Sequence, residues 1–227
     1  RSTMGNRNKI IVAIDGISEK EALRMARILR GYVWGFKIND LLFENEKIIS
    51  KLKKFGNVFA DAKLHDIPNT VANSARRLSR AGADMITVHA SGGVGMMKAA
   101  KRGAGQSKIL AVTVLTSREA DSRKAVKLAH ESIKANVDGI VCSGSDLLAI
   151  RKIPRSKFLL KIVPGVRPSW YKKKDDQKRI ITPEKALESG ADYLVIGRPI
   201  LNAKDPVKAL TDMQTSIKEC YKMQKML

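Results

Sequence analysis

Short apolar runs alternate with amphipathic stretches along nearly the whole chain. The runs "IIVAID" (10–15), "YVWGFKI" (32–38), "NVFADAK" (57–63), "MITVHA" (85–90), "KILAVTVL" (108–115), "GIVCS" (139–143), "FLLKIVPG" (158–165) and "YLVIGR" (193–198) predict eight strands. They are continuous rather than alternating, as parallel strands are when both faces of their sheet are covered. The stretches between them carry helix boundary signals. Ser18 and Glu21 have the spacing of a capping box, Ala22, Met25, Ala26 and Leu29 fall on one face, and Gly31 follows as a terminator. "TPEKALESG" offers Thr182 as N-cap, Pro183 at the first helical position and Gly190 as terminator. "AGADMITVHA" (81–90) and "SGADYLVIGR" (189–198) both set Gly-Ala-Asp before a strand, which fits two similar half-barrels.

Eight βα units with right-handed crossovers close most simply as a (β/α)8 TIM barrel. A doubly wound open sheet would carry a Gly-rich phosphate fingerprint after its first strand. Here that strand runs into "AIDGISEKEA", with one glycine. No linker or low-complexity segment divides the chain, so one domain is expected over residues 1–227, with 1–8 as an N-terminal tail. Within that tail, Met4 reads as the natural first residue and residues 1–3 as an expression remnant.

Composition narrows the function classes. No apolar run approaches the roughly 20 residues of a membrane span, and no signal-peptide pattern opens the sequence. Cys142 and Cys220 form neither a metal-ligand spacing nor a disulfide framework, and His65, His89 and His130 make no ligand pattern. Reduced thiols and a cytoplasmic location are the expectation. The chain carries 43 Lys+Arg against 22 Asp+Glu, a net charge of +21. These cations recur in almost every predicted helix, at spacings that put most of them on solvated faces. The expectation is a general pull on anionic ligands rather than specific nucleic-acid binding.

The chemistry lies at the strand ends. In a TIM barrel, active sites form at the C-terminal ends of the strands. Strand one ends in Asp15, strand two in Lys37, and strand three in "DAKLHDIPNT" with Asp61, Lys63 and, just beyond, Asp66. Strand five ends at Thr116 and Ser117, strand seven runs into Arg167, and strand eight ends in Gly197 and Arg198. A single charged strand end is ordinarily a solvated loop residue. Five converging on one rim, with alternating signs, can be held in a dry pocket because each charge is paired. The two arginines sit after strands seven and eight, where such barrels often bind phosphate. Residues 167–181 are too polar for core and long for a βα loop. They are expected to form a mobile lid over the phosphate, with Gln177 reaching inward.

These motifs resemble the orotidine 5′-monophosphate decarboxylase family. "DAKLHDIPNT" matches its Asp-x-Lys-x-x-Asp-Ile-Pro-Asn-Thr signature, and "AID" (13–15), "FKI" (36–38), "VTVLTS" (112–117), "VPGVRP" (163–168), "DDQKRIITP" (175–183) and "IGRPI" (196–200) follow in order. The resemblance implies a decarboxylase of orotidine 5′-monophosphate that uses no metal or other cofactor. It makes Lys63 the proton donor to C6 and sets Asp61 beside the substrate carboxylate. It gives Lys37 and Asp15 to the ribose and Thr116, or Ser117 in the neighbouring register, to the pyrimidine. It gives Arg167, Gln177, Gly197 and Arg198 to the phosphate end, and adds Ile67, Thr70 and Pro164 to the substrate contacts. It also implies a homodimer in which Asp66 enters the partner's site. Relatives sharing Asp-x-Lys-x-x-Asp include magnesium-dependent sugar-phosphate aldolases and decarboxylases, which typically carry Glu near the second strand end. Lys37 stands there in this chain. A barrel turned nucleic-acid-binding module is the remote alternative.

Overall fold

The computed structural model describes residues 9–115, 121–171 and 179–224. All eight expected strands form: β1 (Ile10–Ala13), β2 (Gly35–Ile38), β3 (Asn57–Leu64), β4 (Met85–His89), β5 (Lys108–Val112), β6 (Gly139–Val141), β7 (Leu160–Val163) and β8 (Tyr193–Ile196). Each pairs in parallel with its neighbours in sequence order, and β1 pairs with β8, so the sheet closes into a barrel. The helices α1 (Glu19–Leu29), α2 (Leu41–Glu44), α3 (Ile48–Leu52), α4 (Pro68–Arg80), α5 (Gly93–Gly103), α6 (Ser122–Lys134), α7 (Leu147–Arg151), α8 (Pro183–Glu188), α9 (Arg198–Leu201) and α10 (Pro206–Gln224) accompany it. Two more helices occur than eight units need. The β2–β3 connection is split into α2 and α3, and both α9 and α10 follow β8.

The helix boundary signals hold. Ser18 Oγ accepts from Glu21 N–H and Thr182 Oγ1 from Lys185 N–H, while Gly31 and Gly190 take positive φ just past their helices. The capping box at Ser18 is half made, because the Glu21 carboxylate turns instead to Arg24. Most strands stop short of their apolar runs at the barrel mouth. β1 ends at Ala13 and β5 at Val112, although Ile14 N–H still donates to Lys37 O at 3.0 Å. Apolar composition records burial, and residues beyond the last ladder bond are still buried. Phe158, placed in strand seven by its hydrophobicity, lies in a turn before β7 and is 70 % exposed.

Alternation of side chains fixes what faces inward. Ile11, Phe59, Met85, Leu110, Ile162 and Val195 fill the barrel interior. Ile10, Val12, Phe36, Ile38, Val58 and Ala60 face the helices. The inward series on β1 therefore runs Ile11, Ala13, Asp15, and that on β3 begins Phe59, Asp61. On β2 it runs Gly35, Lys37. Gly35 is required there, because a Cβ would lie 2.0 Å from Asn57 O on β3. Each charged strand end is thus one inward step above an apolar plug.

The floor of the barrel carries a repeat. The Asp84 carboxylate accepts from Val58 N–H, that of Asp138 from Ile109 N–H and that of Asp192 from Lys161 N–H, at 2.7–2.8 Å. Two residues before each aspartate the backbone has positive φ, at Gly82, Asn136 and Gly190. The resemblance between strands four and eight extends to strand six, so the period is two strands rather than half a barrel. The fourth equivalent position is Trp34, whose N–H donates to Ile10 O as that of Asp84 does to Val58 O.

Candidate active site

A cavity of about 600 Å³ opens at the C-terminal ends of the strands. Asp15, Lys37, Asp61, Lys63, Pro164, Arg167, Gly197 and Arg198 all line it. Asp66, Ile67 and Thr70 do not. They belong to a run of six exposed residues, 65–70, and Ile67 is 66 % exposed. Thr116, Ser117 and Gln177 lie outside the described residues, as do residues 172–178 of the expected lid.

Four charges form a row of alternating sign. Lys37 Nζ donates to Asp15 Oδ2 and lies 3.3 Å from Asp61 Oδ2. Lys63 Nζ donates to the same Asp61 oxygen at 2.6 Å. The second Asp61 oxygen accepts from Thr87 Oγ1 at 2.9 Å. Two carboxylates and two ammonium groups make the row neutral, which is what lets it sit largely out of water. Burial alone would raise the Asp61 pKa. The charges of Lys37 and Lys63, with hydrogen bonds from Lys63 and Thr87, outweigh it and hold this carboxyl below the usual range. Burial of Lys37 would favour its neutral form, but Asp61 and Asp15 outweigh that and push its pKa up.

Lys63 has a left-handed backbone, φ +47°. That conformation is uncommon for a residue with a Cβ, and such outliers cluster at functional sites. It accompanies a register shift between Ala60 and Leu64 in the β3–β4 pairing. Here Lys63 N–H leaves the ladder and donates to Thr87 Oγ1 at 2.8 Å. The bulge re-aims the lysine towards Asp61 and the cavity.

On the other side of the mouth, Arg167 follows β7 and Arg198 follows β8. In an eight-stranded closed order, β7 stands opposite β3. Arg167 is 8 % exposed, its guanidinium donates to Val166 O, and it lies 5.8 Å from the Tyr171 ring centroid. The stems of the loop are tied, with Arg167 N–H donating to Ile181 O at 2.9 Å. The cavity therefore has an ion-paired wall and an arginine wall, with apolar surface from Val112, Val114, Val141 and Val195 between them.

Sequence alone passes over three residues. Asn39 N–H donates to Asp15 Oδ1 and its side chain to Asp61 O; it sits two past Lys37, the next inward step. Thr87 is a fully buried hydroxyl inside the apolar run "MITVH", a signal that could have been read. Arg179 donates to Asp146 Oδ2 at 2.9 Å and to two backbone carbonyls of the mouth, yet nothing sets it apart in sequence from its many cationic neighbours.

The chain is similar to known proteins of one family. The family model described as orotidine 5′-phosphate decarboxylase / HUMPS family matches residues 8–213. The orotidine 5′-phosphate decarboxylase of Dichelobacter nodosus is 40 % identical, over 93 % of this chain and 100 % of that protein. The crystal structure of orotidine 5′-phosphate decarboxylase from Lactobacillus acidophilus superposes with a TM-score of 0.78 at 32 % identity, covering 92 % of this chain and 98 % of that one. That from Pyrococcus horikoshii gives a TM-score of 0.77 at 25 % identity, covering 92 % and 99 %. The chain belongs to the orotidine 5′-phosphate decarboxylase / HUMPS family.

Proposed function

We propose that this chain decarboxylates orotidine 5′-monophosphate to uridine 5′-monophosphate and CO2 in pyrimidine biosynthesis. The observation that carries the reading is the row Asp15–Lys37–Asp61–Lys63 on one wall of the cavity, facing the arginines that follow β7 and β8. The family supports it, as do the relatives named orotidine 5′-phosphate decarboxylase.

When the C6–carboxylate bond breaks, its electron pair stays on C6 in the ring plane, where no conjugated sink receives it. The Lys63 ammonium stabilises that charge and then delivers its proton to C6, and solvent reprotonates the amine. Asp61, held ionised by its neighbours, stands beside the departing carboxylate and repels it until CO2 has left. Lys37 and Asp15 hold the ribose, Thr116 or Ser117 the pyrimidine, and Arg167, Gln177, Gly197 and Arg198 the phosphate end, with Pro164 a further substrate contact. Binding energy gained at the phosphate orients the ring against Lys63.

A magnesium-dependent sugar-phosphate enzyme, the other half of the joint family name, fits this donor set less well. The Lys37 ammonium lies between Asp15 and Asp61, where a metal cation would have to sit. We further infer a homodimer in which the exposed Asp66, Ile67 and Thr70 serve the partner's cavity rather than their own. The reading places the reaction in the cytoplasm; among the described residues no helix is long and apolar enough to cross a membrane. The test is turnover of orotidine 5′-monophosphate by protein dialysed against chelator, followed by its absorbance change. Full turnover supports the reading, and activity that returns only with Mg²⁺ overturns it.

A further inference from the structure

Arg179 belongs to no step of the proposed reaction, yet it is a heavily engaged cation at the mouth. Its side chain is 8 % exposed and that of its partner Asp146 is 0 % exposed. Nη1 donates to Asp146 Oδ2 at 2.9 Å, and Nη2 donates to Val114 O at 3.3 Å and Leu115 O at 3.1 Å. The other Asp146 oxygen accepts from Ser122 Oγ at 3.1 Å. One guanidinium therefore joins the segments that follow β5, β6 and β7. Its Nε is buried without a hydrogen-bond partner among the described residues. Val114 and Leu115 line the cavity. Along the chain, Leu115 directly precedes Thr116, and Arg179 follows Gln177 by two positions.

We propose that Arg179 is a positioning residue. It fixes the backbone of the β5 and β7 loops relative to each other, and so sets the nucleotide's pyrimidine and phosphate ends at a common spacing. This rests on the reading of the cavity as a nucleotide site. A planar guanidinium holds two separate nitrogens in fixed geometry, one on the carboxylate and one on the two carbonyls, which a single ammonium nitrogen does not reproduce. A lysine would keep the Asp146 ion pair and lose the fork.

The experiment compares wild type with Arg179→Lys, Arg179→Ala and Asp146→Asn by kinetics and by amide hydrogen exchange. Arg179→Lys is expected to fold and to lose about a hundredfold in kcat/KM, the scale set by a small misplacement of bound groups. Most of the loss falls in KM. Exchange at Thr113, Val114 and Leu115 accelerates while β2 and β3 are unchanged, and millimolar guanidinium restores part of the Arg179→Ala activity. Wild-type kinetics in Arg179→Lys would overturn the proposal, as would unchanged exchange at Val114 and Leu115. If Arg179→Ala does not fold, Arg179→Lys and Asp146→Asn decide. If the wild type fails to turn over orotidine 5′-monophosphate, the nucleotide reading fails, and the exchange comparison still decides whether Arg179 clamps the loops.

Discussion

Thr87 donates its hydroxyl proton to Asp61 Oδ1 at 2.9 Å, and its own Oγ1 accepts the backbone N–H of Lys63 at 2.8 Å. One hydroxyl on β4 therefore sets both the carboxylate and the backbone of the proposed proton donor. Thr87→Val keeps the shape and removes both bonds. We predict a loss of about 1–3 kcal/mol in stability, because a half-buried N–H and a buried carboxylate oxygen each lose a partner. We also predict that kcat falls roughly tenfold while KM stays within about a factor of two. A variant with wild-type kcat would show that Thr87 only fills space.

Lys63→Ala should abolish turnover while uridine 5′-monophosphate still binds, since Lys63 acts at the reacting carbon and the phosphate is held across the mouth. Calorimetric titration beside a turnover assay separates the two. Substantial residual kcat would remove Lys63 from the proton-donor role.

The pH dependence of stability follows from the row. The Asp61 pKa is depressed in the folded chain, so its contribution is present above the ordinary carboxylate range and is lost as pH falls through the folded value. The Lys37 pKa is raised, so its contribution is present below the ordinary lysine range and is lost as pH rises through the folded value. Asp61→Asn should be less stable than wild type at neutral pH, and the two should converge as acid protonates Asp61. Urea unfolding across pH measures this, and a gap that persists at the acid end refutes it.

Arg198→Ala should weaken uridine 5′-monophosphate far more than uridine. Losing a charge-assisted contact costs about 1.5–3 kcal/mol, roughly ten- to a hundredfold in affinity. Equal losses for both ligands would take Arg198 out of the phosphate site.

Mixing inactive chains tests the shared site. In a mixed dimer of Lys63→Ala and Asp66→Ala chains, one site lacks both residues, and the other has Lys63 from its own chain and Asp66 from the partner. Random exchange of equal amounts makes half the dimers mixed, so about a quarter of all sites should regain activity. Mass labelling confirms exchange. Mixed dimers with no more activity than the parents would show that Asp66 does not cross the interface.

Much of this was legible before any coordinates. Eight continuous apolar runs specified a parallel sheet covered on both faces, and the single glycine after the first strand favoured the barrel over an open sheet. The charged ends Asp15, Lys37, Asp61 and Lys63 could be read because inward positions recur every second residue, and eight of the expected site residues line the cavity. The strand ends could not be read, because β5 leaves its ladder at Val112 while the run stays apolar to Leu115. The left-handed turn at Lys63 was hidden for another reason. Nothing in a lysine announces positive φ as a glycine would, and the conformation accompanies a bulge in β3 and a hydrogen bond to Thr87 on a different strand. Arg179 was hidden because its partners lie on two separate loops, distant from it in sequence.

The aspartates beneath the sheet bear on how the chain finds its fold. Parallel sheets assemble slowly because every pairing spans a long connection. Asp84, Asp138 and Asp192 each grip the strand immediately before their own, across 26, 29 and 31 residues. Three of the four odd–even strand pairs thus carry their own alignment mark, within a single βαβ unit. The β1–β8 pairing joins residues as far apart as Ile10 and Leu194, and has no such mark within reach. It must wait for units already in register. The assembly problem of an eight-stranded barrel is thereby reduced to docking a few prealigned pairs and closing one seam.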